Sequence, residues 1–153
     1  MPLSSRKPAS IDRAFARFAL KIRRSRIHRL GVFASEEIPR LKYVMEYCGR
    51  HIHVRDEERE MSKPGRPQRI LTVRLNRCWI VDAFVGGSGA EYINHSCEPN
   101  LFARKTRKRI FLVSRRRIGK GEELTLDYRI LPRMPRFSCR CGSAKCRGFM
   151  NRA

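Results

Sequence analysis

Asn94-His95-Ser96-Cys97-Glu98-Pro99-Asn100 is the stretch on which the reading of this chain turns. It follows the apolar pair Tyr92-Ile93, so a short strand runs into a turn carrying amides, an imidazole, a thiol and a carboxylate. So many polar groups at a strand end rarely serve packing alone. A Cys-His hydrolase is one use of them, because Cys97 lies near His95. Sequence neighbours do not by themselves make a nucleophile and its base, however, and no third group that would orient the histidine stands out.

Further along, Cys139-Arg140-Cys141 and Cys146 place three thiols close together, with Gly142 relaxing the loop between them. Structural zinc takes four soft ligands in a tetrahedron, so a fourth must come from elsewhere. Cys97, Cys48, Cys78 and the pair His51 and His53 are the candidates. The alternative is three reduced cysteines on an exposed tail. An Arg-rich setting lowers thiol pKa values and invites oxidation, which favours a metal. Cys48 and Cys78 lie in strand-like runs and read as small core residues. Cys139 and Cys141 have the wrong spacing for a zinc-ribbon DNA binder.

The rest of the chain reads as mainly β. Phe18, Leu20 and Ile22 alternate as a strand does, and 31–34, 43–47, 70–75, 78–81, 101–105, 110–114 and 123–128 look like further short strands. Asn76-Arg77 joins two of them as a tight turn. Arg55–Met61 is the one clear surface helix, with Asp56, Glu57 and Glu58 in its first turn, where the dipole welcomes negative charge. Lys63-Pro64-Gly65-Arg66-Pro67 ends it. Many short strands and few helices exclude a doubly wound nucleotide-binding fold.

Composition sets the outer limits. With 153 residues, 41% of them hydrophobic, the chain makes one domain with a real core. No apolar run approaches the ~20 residues of a membrane span, so no membrane role is expected. Met1–Ser10 is polar, without a signal-peptide stretch, and a cytosolic or nuclear, non-secreted protein with reduced cysteines is expected. The 35 Lys and Arg against 14 Asp and Glu leave a net charge of +21, which points to a nucleic acid or an acidic complex as neighbour. Residues Arg104 to Arg117 carry eight of these cations and no acid.

Two more segments complete a pattern: Glu46-Tyr47-Cys48-Gly49 and Gly121-Glu122-Glu123-Leu124-Thr125-Leu126-Asp127-Tyr128. Together with 25–34, 94–100 and 139–146, in this order, they resemble the successive signatures of SET-domain protein lysine methyltransferases with a post-SET tail. The similarity is closest to the trithorax/mixed-lineage-leukaemia branch in a minimal stand-alone form. It runs from about Phe18 to Asn151. It divides the chain into a basic N-terminal tail (1–16), a SET domain (17–130) and a post-SET zinc segment (135–151).

The resemblance implies a fold of several small curved sheets around a knot-like crossing of 94–100 with 124–128. It implies that His28, Arg29, Leu30, Gly31, Asn94 and His95 hold S-adenosylmethionine, and that Tyr47 and Tyr128 line a lysine channel as the catalytic pair. It also supplies Cys97 as the fourth zinc ligand beside Cys139, Cys141 and Cys146. The activity implied is methyl transfer to a lysine of a histone or other basic chromatin or nucleoid protein, in a bacterial cytoplasm or a nucleus. A catalytically silent SET-like module that binds nucleic acid is the alternative, and Arg104, Lys105, Arg107, Lys108 and Arg109 are its candidate phosphate contacts. Four positions depart from the family pattern. Arg29 stands where glycine is usual, Leu71 where an aromatic is frequent, Glu91 in place of an Arg, and Leu126 at the usually aromatic position that tunes the degree of methylation.

Overall fold

Four small sheets, none wider than three strands, organise the described residues. The computed structural model describes residues 8–152. Strands β1 (Leu20–Arg24) and β2 (Leu30–Ala34) form an antiparallel hairpin. β3 (Tyr43–Tyr47) leads into β4 (Arg50–His53), a turn of 3-10 helix (Val54–Asp56), α1 (Glu57–Met61), β5 (Thr72–Arg74) and β6 (Trp79–Asp82). After a second 3-10 turn (Ala90–Tyr92) come β7 (Asn94–His95), β8 (Leu101–Lys105), β9 (Ile110–Ser114) and β10 (Thr125–Leu126). The sheets are β1-β2, β3-β9-β8, β4-β6-β5 and the short parallel pair β7-β10.

Burial explains the arrangement. In β1 only Leu20 and Ile22 turn inward, and Lys21 and Arg23 stay in water, the period-two pattern of a sheet with one wet face. β9 sits between two strands and buries Ile110, Leu112, Val113 and Ser114. Its near-continuous apolar run is what a central position requires. These strands meet Val32, Val44, Met45, Ile93, Leu101, Ile118 and Leu124 in one core.

Several elements differ from the sequence reading. The expected helix at 55–61 breaks into the 3-10 turn and the five residues of α1, because so short a run cannot meet the cost of helix nucleation alone. The His53 ring caps Arg55 N at 3.3 Å, and Ser62 closes the end by donating from Oγ to Glu58 O at 2.8 Å. Nor is the segment wholly surface, since Glu60 is buried and held by Arg50 and Lys63 at 2.9 and 2.8 Å. The run 70–75 shrinks to β5 because Leu71 O turns out of the ladder to accept from Ala83 N and the Tyr47 hydroxyl. β4 was not anticipated, since Ile52 is its single buried residue. At the N-terminus, residues 1–7 of the expected tail lie outside the described residues. Asp12 N, within the same tail, donates to Ser88 O, and Ala16 bridges to Met45, so this part is attached to the body.

Candidate active site

Residues 94–100 and 123–128 cross, and side chains lock the crossing. β7 pairs with β10 in parallel, Asn94 beside Thr125 and His95 beside Leu126. Asn100 braces it on three sides: its Oδ1 accepts from Thr125 N at 2.8 Å, its backbone N donates to Thr125 Oγ1 at 3.2 Å, and its Nδ2 donates to Glu123 O at 2.8 Å. Buried polar groups are tolerated because each is satisfied in this way.

Asn94 ties the crossing to the loop between β1 and β2. Its Nδ2 donates to His28 O, Leu30 O and Glu123 Oε1 at 3.2, 2.9 and 2.8 Å. Ser25 Oγ donates to the same Glu123 carboxylate at 2.8 Å. A Cβ on Gly31 would lie 2.2 Å from Glu123 Oε1, so this glycine is needed for the carboxylate to reach Asn94. Arg29 adopts φ 39°, in the left-handed region that favours glycine. Asn94 Oδ1 accepts no hydrogen bond among the described residues, and His28 and Arg29, in the loop that its Nδ2 gathers, are exposed. An open amide acceptor next to a loop with exposed polar side chains suits a polar ligand.

His95 is 2% exposed. Burial pushes its pKa down to about 4, against the pull of Asp127. Its Nδ1 accepts from Tyr128 N at 3.0 Å, so the proton of the neutral ring sits on Nε2, which lies 3.5 Å from Cys97 Sγ. That contact connects the crossing to the tail. The sulfurs of Cys97, Cys139, Cys141 and Cys146 all lie within 4.8 Å of one another, Cys97 and Cys139 at 3.7 Å. Burial raises the Cys97 and Cys139 thiols. It works the same way on Cys141, but backbone N–H groups of Cys97 and Ser143 overcome it and bring that thiol down to about 6. Arg147 N and Gly148 N donate to Cys97 and Cys146 sulfur at 3.4 Å each. The tail is clamped beside the sulfurs by a two-pronged Arg147–Asp127 pair at 3.0 Å.

Two phenols complete the site, Tyr47 buried and Tyr128 half-buried. The Tyr47 hydroxyl donates to Leu71 O at 2.8 Å and the Tyr128 hydroxyl to Ile93 O at 2.6 Å. Burial raises the pKa of both well above the ordinary tyrosine value, and Tyr128 adds to the effect on Tyr47. Each is therefore a neutral phenol whose proton is committed to a carbonyl. What remains on each oxygen is acceptor capacity.

A family model for the SET domain matches residues 29–129. The chain belongs to the SET-domain family. Among its relatives, a fission-yeast (Schizosaccharomyces pombe) protein named histone-lysine N-methyltransferase, H3 lysine-4 specific, is 39% identical over 162 residues, which cover 96% of this chain and 17% of that protein. Histone-lysine N-methyltransferase set-2 of Caenorhabditis elegans is 35% identical over 90% of this chain and 10% of its own length. Human histone-lysine N-methyltransferase 2B is 38% identical over 87% of this chain and 5% of its own length. This SET domain thus spans a small fraction of these relatives. They are animal and yeast proteins, which lends no support to the bacterial location.

Within the SET domain, the structure brings together Asn94 with the 28–31 loop, and His95 with Tyr128 and the cysteines. Sequence reasoning missed the partners that hold them. Glu123 and Asp127 lay inside a quoted motif but had no role assigned, and the carbonyls of Leu71 and Ile93 carry no sequence signal. Asn151 also went unnoticed. It is buried and anchors the tail through Phe137 N at 3.0 Å and Pro135 O at 3.1 Å. The basic segment 104–117 is partly paired within the fold. Arg109 pairs with Glu46 at 2.9 and 2.6 Å and stacks on Phe111, while Arg116 and Arg117 pair with Glu122 and Glu37. These three exposed cations each have a carboxylate partner. Among the described residues, no helix is long and apolar enough to cross a membrane.

Proposed function

We propose that this SET domain transfers a methyl group from S-adenosylmethionine to the ε-amine of a lysine on a histone. The observation that carries the reading is the pair of phenols, buried Tyr47 and half-buried Tyr128, each with its O–H spent on a carbonyl and its lone pairs left over. Such oxygens accept from the N–H groups of an amine and hold its lone pair in line with the methyl. Neither phenol is a base at neutral pH, so the lysine sheds its proton on entering an apolar channel, where burial disfavours the ammonium. S-adenosylmethionine would supply an electrophilic methyl on a sulfonium. His28, Arg29, Leu30, Gly31, Asn94 and His95 would hold it, with Asn94 Oδ1 as an acceptor still open. The kinship with proteins named histone-lysine N-methyltransferases supports the substrate class and, with it, a nuclear location.

Zinc is the second part of the proposal. Four ligands about 2.3 Å from a zinc ion lie about 3.8 Å from one another, close to the 3.7 Å between Cys97 and Cys139. The ion would neutralise thiolates that burial alone disfavours, and His95 Nε2–H would orient Cys97 as outer-shell donors do. Nucleic-acid contact through the Arg104–Arg117 segment is the third part, and Arg104, Lys105, Arg107 and Lys108 have no carboxylate partner among the described residues.

The test is transfer of labelled methyl from S-adenosylmethionine to histones, with Tyr128→Phe beside the wild type. The variant should lose at least about 100-fold in rate, as expected when a group acting only in the transition state is removed, while cofactor affinity stays within a few-fold. Equal turnover in the two would remove Tyr128 from the mechanism.

A further inference from the structure

Two hollows lie along β1, away from the site described above. The larger, about 570 Å³, has Ile11, Phe18, Leu20 and Ile22 on its walls, together with Arg13, Arg17 and Lys21. The smaller, about 250 Å³, lies over Phe33 between Lys21, Arg23 and Lys120. Neither lining contains a carboxylate. Ser35 borders both, and its Oγ is shut off from solvent with no hydrogen-bond partner among the described residues.

The backbone between the hollows is an unpaired strand edge. Ser35 N donates to Ala19 O at 2.8 Å and Ser25 N to Arg29 O at 3.0 Å. Residues 19, 21, 23 and 25 therefore turn their backbone groups toward β2, and antiparallel alternation turns those of Leu20, Ile22 and Arg24 outward. No backbone group meets these among the described residues. The far side of β2, by contrast, is covered, since Gly121 N donates to Ala34 O and Leu124 N to Val32 O at 2.7 and 2.8 Å. An edge strand left unpaired is a template for another strand.

We propose that the outer edge of β1 docks an extended acidic segment of a partner protein, added as a further antiparallel strand with alternating apolar and acidic residues. The pattern follows from the two faces of β1. Side chains on the face of Leu20 and Ile22 enter the apolar groove, and those on the other face meet Lys21 and Arg23. Cross-strand pairing rewards opposite charge on one face and apolar contact on the other, and main-chain hydrogen bonds supply the remainder, as in other strand additions. A second copy of this chain would bring a like charge of +21 to the same edge. Duplex DNA would satisfy the cations but neither the strand edge nor the apolar walls. This surface is independent of the methyl-transfer reading.

The test is fluorescence anisotropy of the whole chain with a labelled peptide of about eight residues, a common strand length, alternating Glu and Val. A peptide with the same residues in two blocks should bind at least about tenfold more weakly. N-methylation of the Val positions, whose N–H groups face β1 in an antiparallel pair, should abolish binding, whereas N-methylation of the Glu positions should spare it. The double variant Lys21→Glu, Arg23→Glu should lose at least about tenfold. The N-methyl comparison uses the unaltered chain, so it does not depend on how the variant folds. Equal binding of both N-methylated forms, or of the block peptide, would overturn strand addition. So would duplex DNA binding that the double variant abolishes while the alternating peptide fails to bind, or self-association of the chain through this edge.

Discussion

Arg29 holds φ 39° at the loop that Asn94 gathers through His28 O and Leu30 O. For an L-residue that conformation costs about 1–2 kcal/mol, while glycine there gives back about 0.5–1 kcal/mol as lost backbone entropy. Arg29→Gly should therefore stabilise the fold slightly, by about 0.5 kcal/mol, or about 1–2 °C in a domain of this size. Thermal melts of the two proteins check it, and a fall in Tm would mean the Arg29 side chain makes a contact that outweighs the strain. Gly31 and Glu123 illustrate the opposite dependence. The carboxylate occupies the volume a Cβ would need, so neither residue can be understood without the other.

At the level of elements, the tail is brought to the crossing by the cysteine cluster and by its own ion pair. Zinc should bind one per chain, and Cys97→Ser should reduce it well below one, measured by metal analysis of protein purified without added zinc. Retention of a full equivalent in the variant would remove Cys97 from the ligand set. A second attachment lies at the end of β6, where Arg66 grips the fully buried Asp82 at 2.8 and 2.9 Å and Gly49, between β3 and β4, leaves room for Asp82 O. Burial raises the Asp82 pKa, but the Arg66 fork outweighs it and the carboxyl is held below its ordinary value. A carboxyl depressed in the folded state stabilises above its unfolded pKa and loses that contribution as pH falls through the folded one. Asp82→Asn should cost about 3 kcal/mol at pH 7, because it leaves a buried guanidinium uncompensated. The gap between variant and wild type should narrow below about pH 4. Urea denaturation across that range checks both, and a gap independent of pH would place the stabilisation elsewhere.

Over the whole molecule, charge is unevenly satisfied. Arg109, Arg116 and Arg117 have carboxylate partners. Lys105 is instead held below the ordinary lysine value by burial and by Arg129, Arg74 and Arg152 around it. A polyanion would relieve that crowding. If Arg107 and Lys108 each contact one phosphate, replacing both by Ser should flatten the salt dependence of duplex DNA binding by about 2 in log-log slope. Arg109→Ser should leave the slope nearly unchanged. Equal slopes in the wild type and the double variant would make the hairpin tip a solvated turn.

Much of this molecule was legible from local pattern. Alternation in 18–22 and the apolar runs 43–47, 101–105 and 110–114 specify strands, the first because a half-buried strand must repeat every second residue. The cysteine spacing required a fourth ligand, and the ordered motifs pointed to Cys97, whose sulfur the fold brings to 3.7 Å from Cys139. What only the tertiary structure decided are the long-range polar partners. The Tyr47 and Tyr128 protons go to the carbonyls of Leu71 and Ile93, Asn94 meets Glu123, and Arg109 is taken up by Glu46. Backbone carbonyls are the same in every residue, and an ion pair 63 positions apart has no period. Such contacts exist only once the sheets have brought the groups within hydrogen-bonding distance.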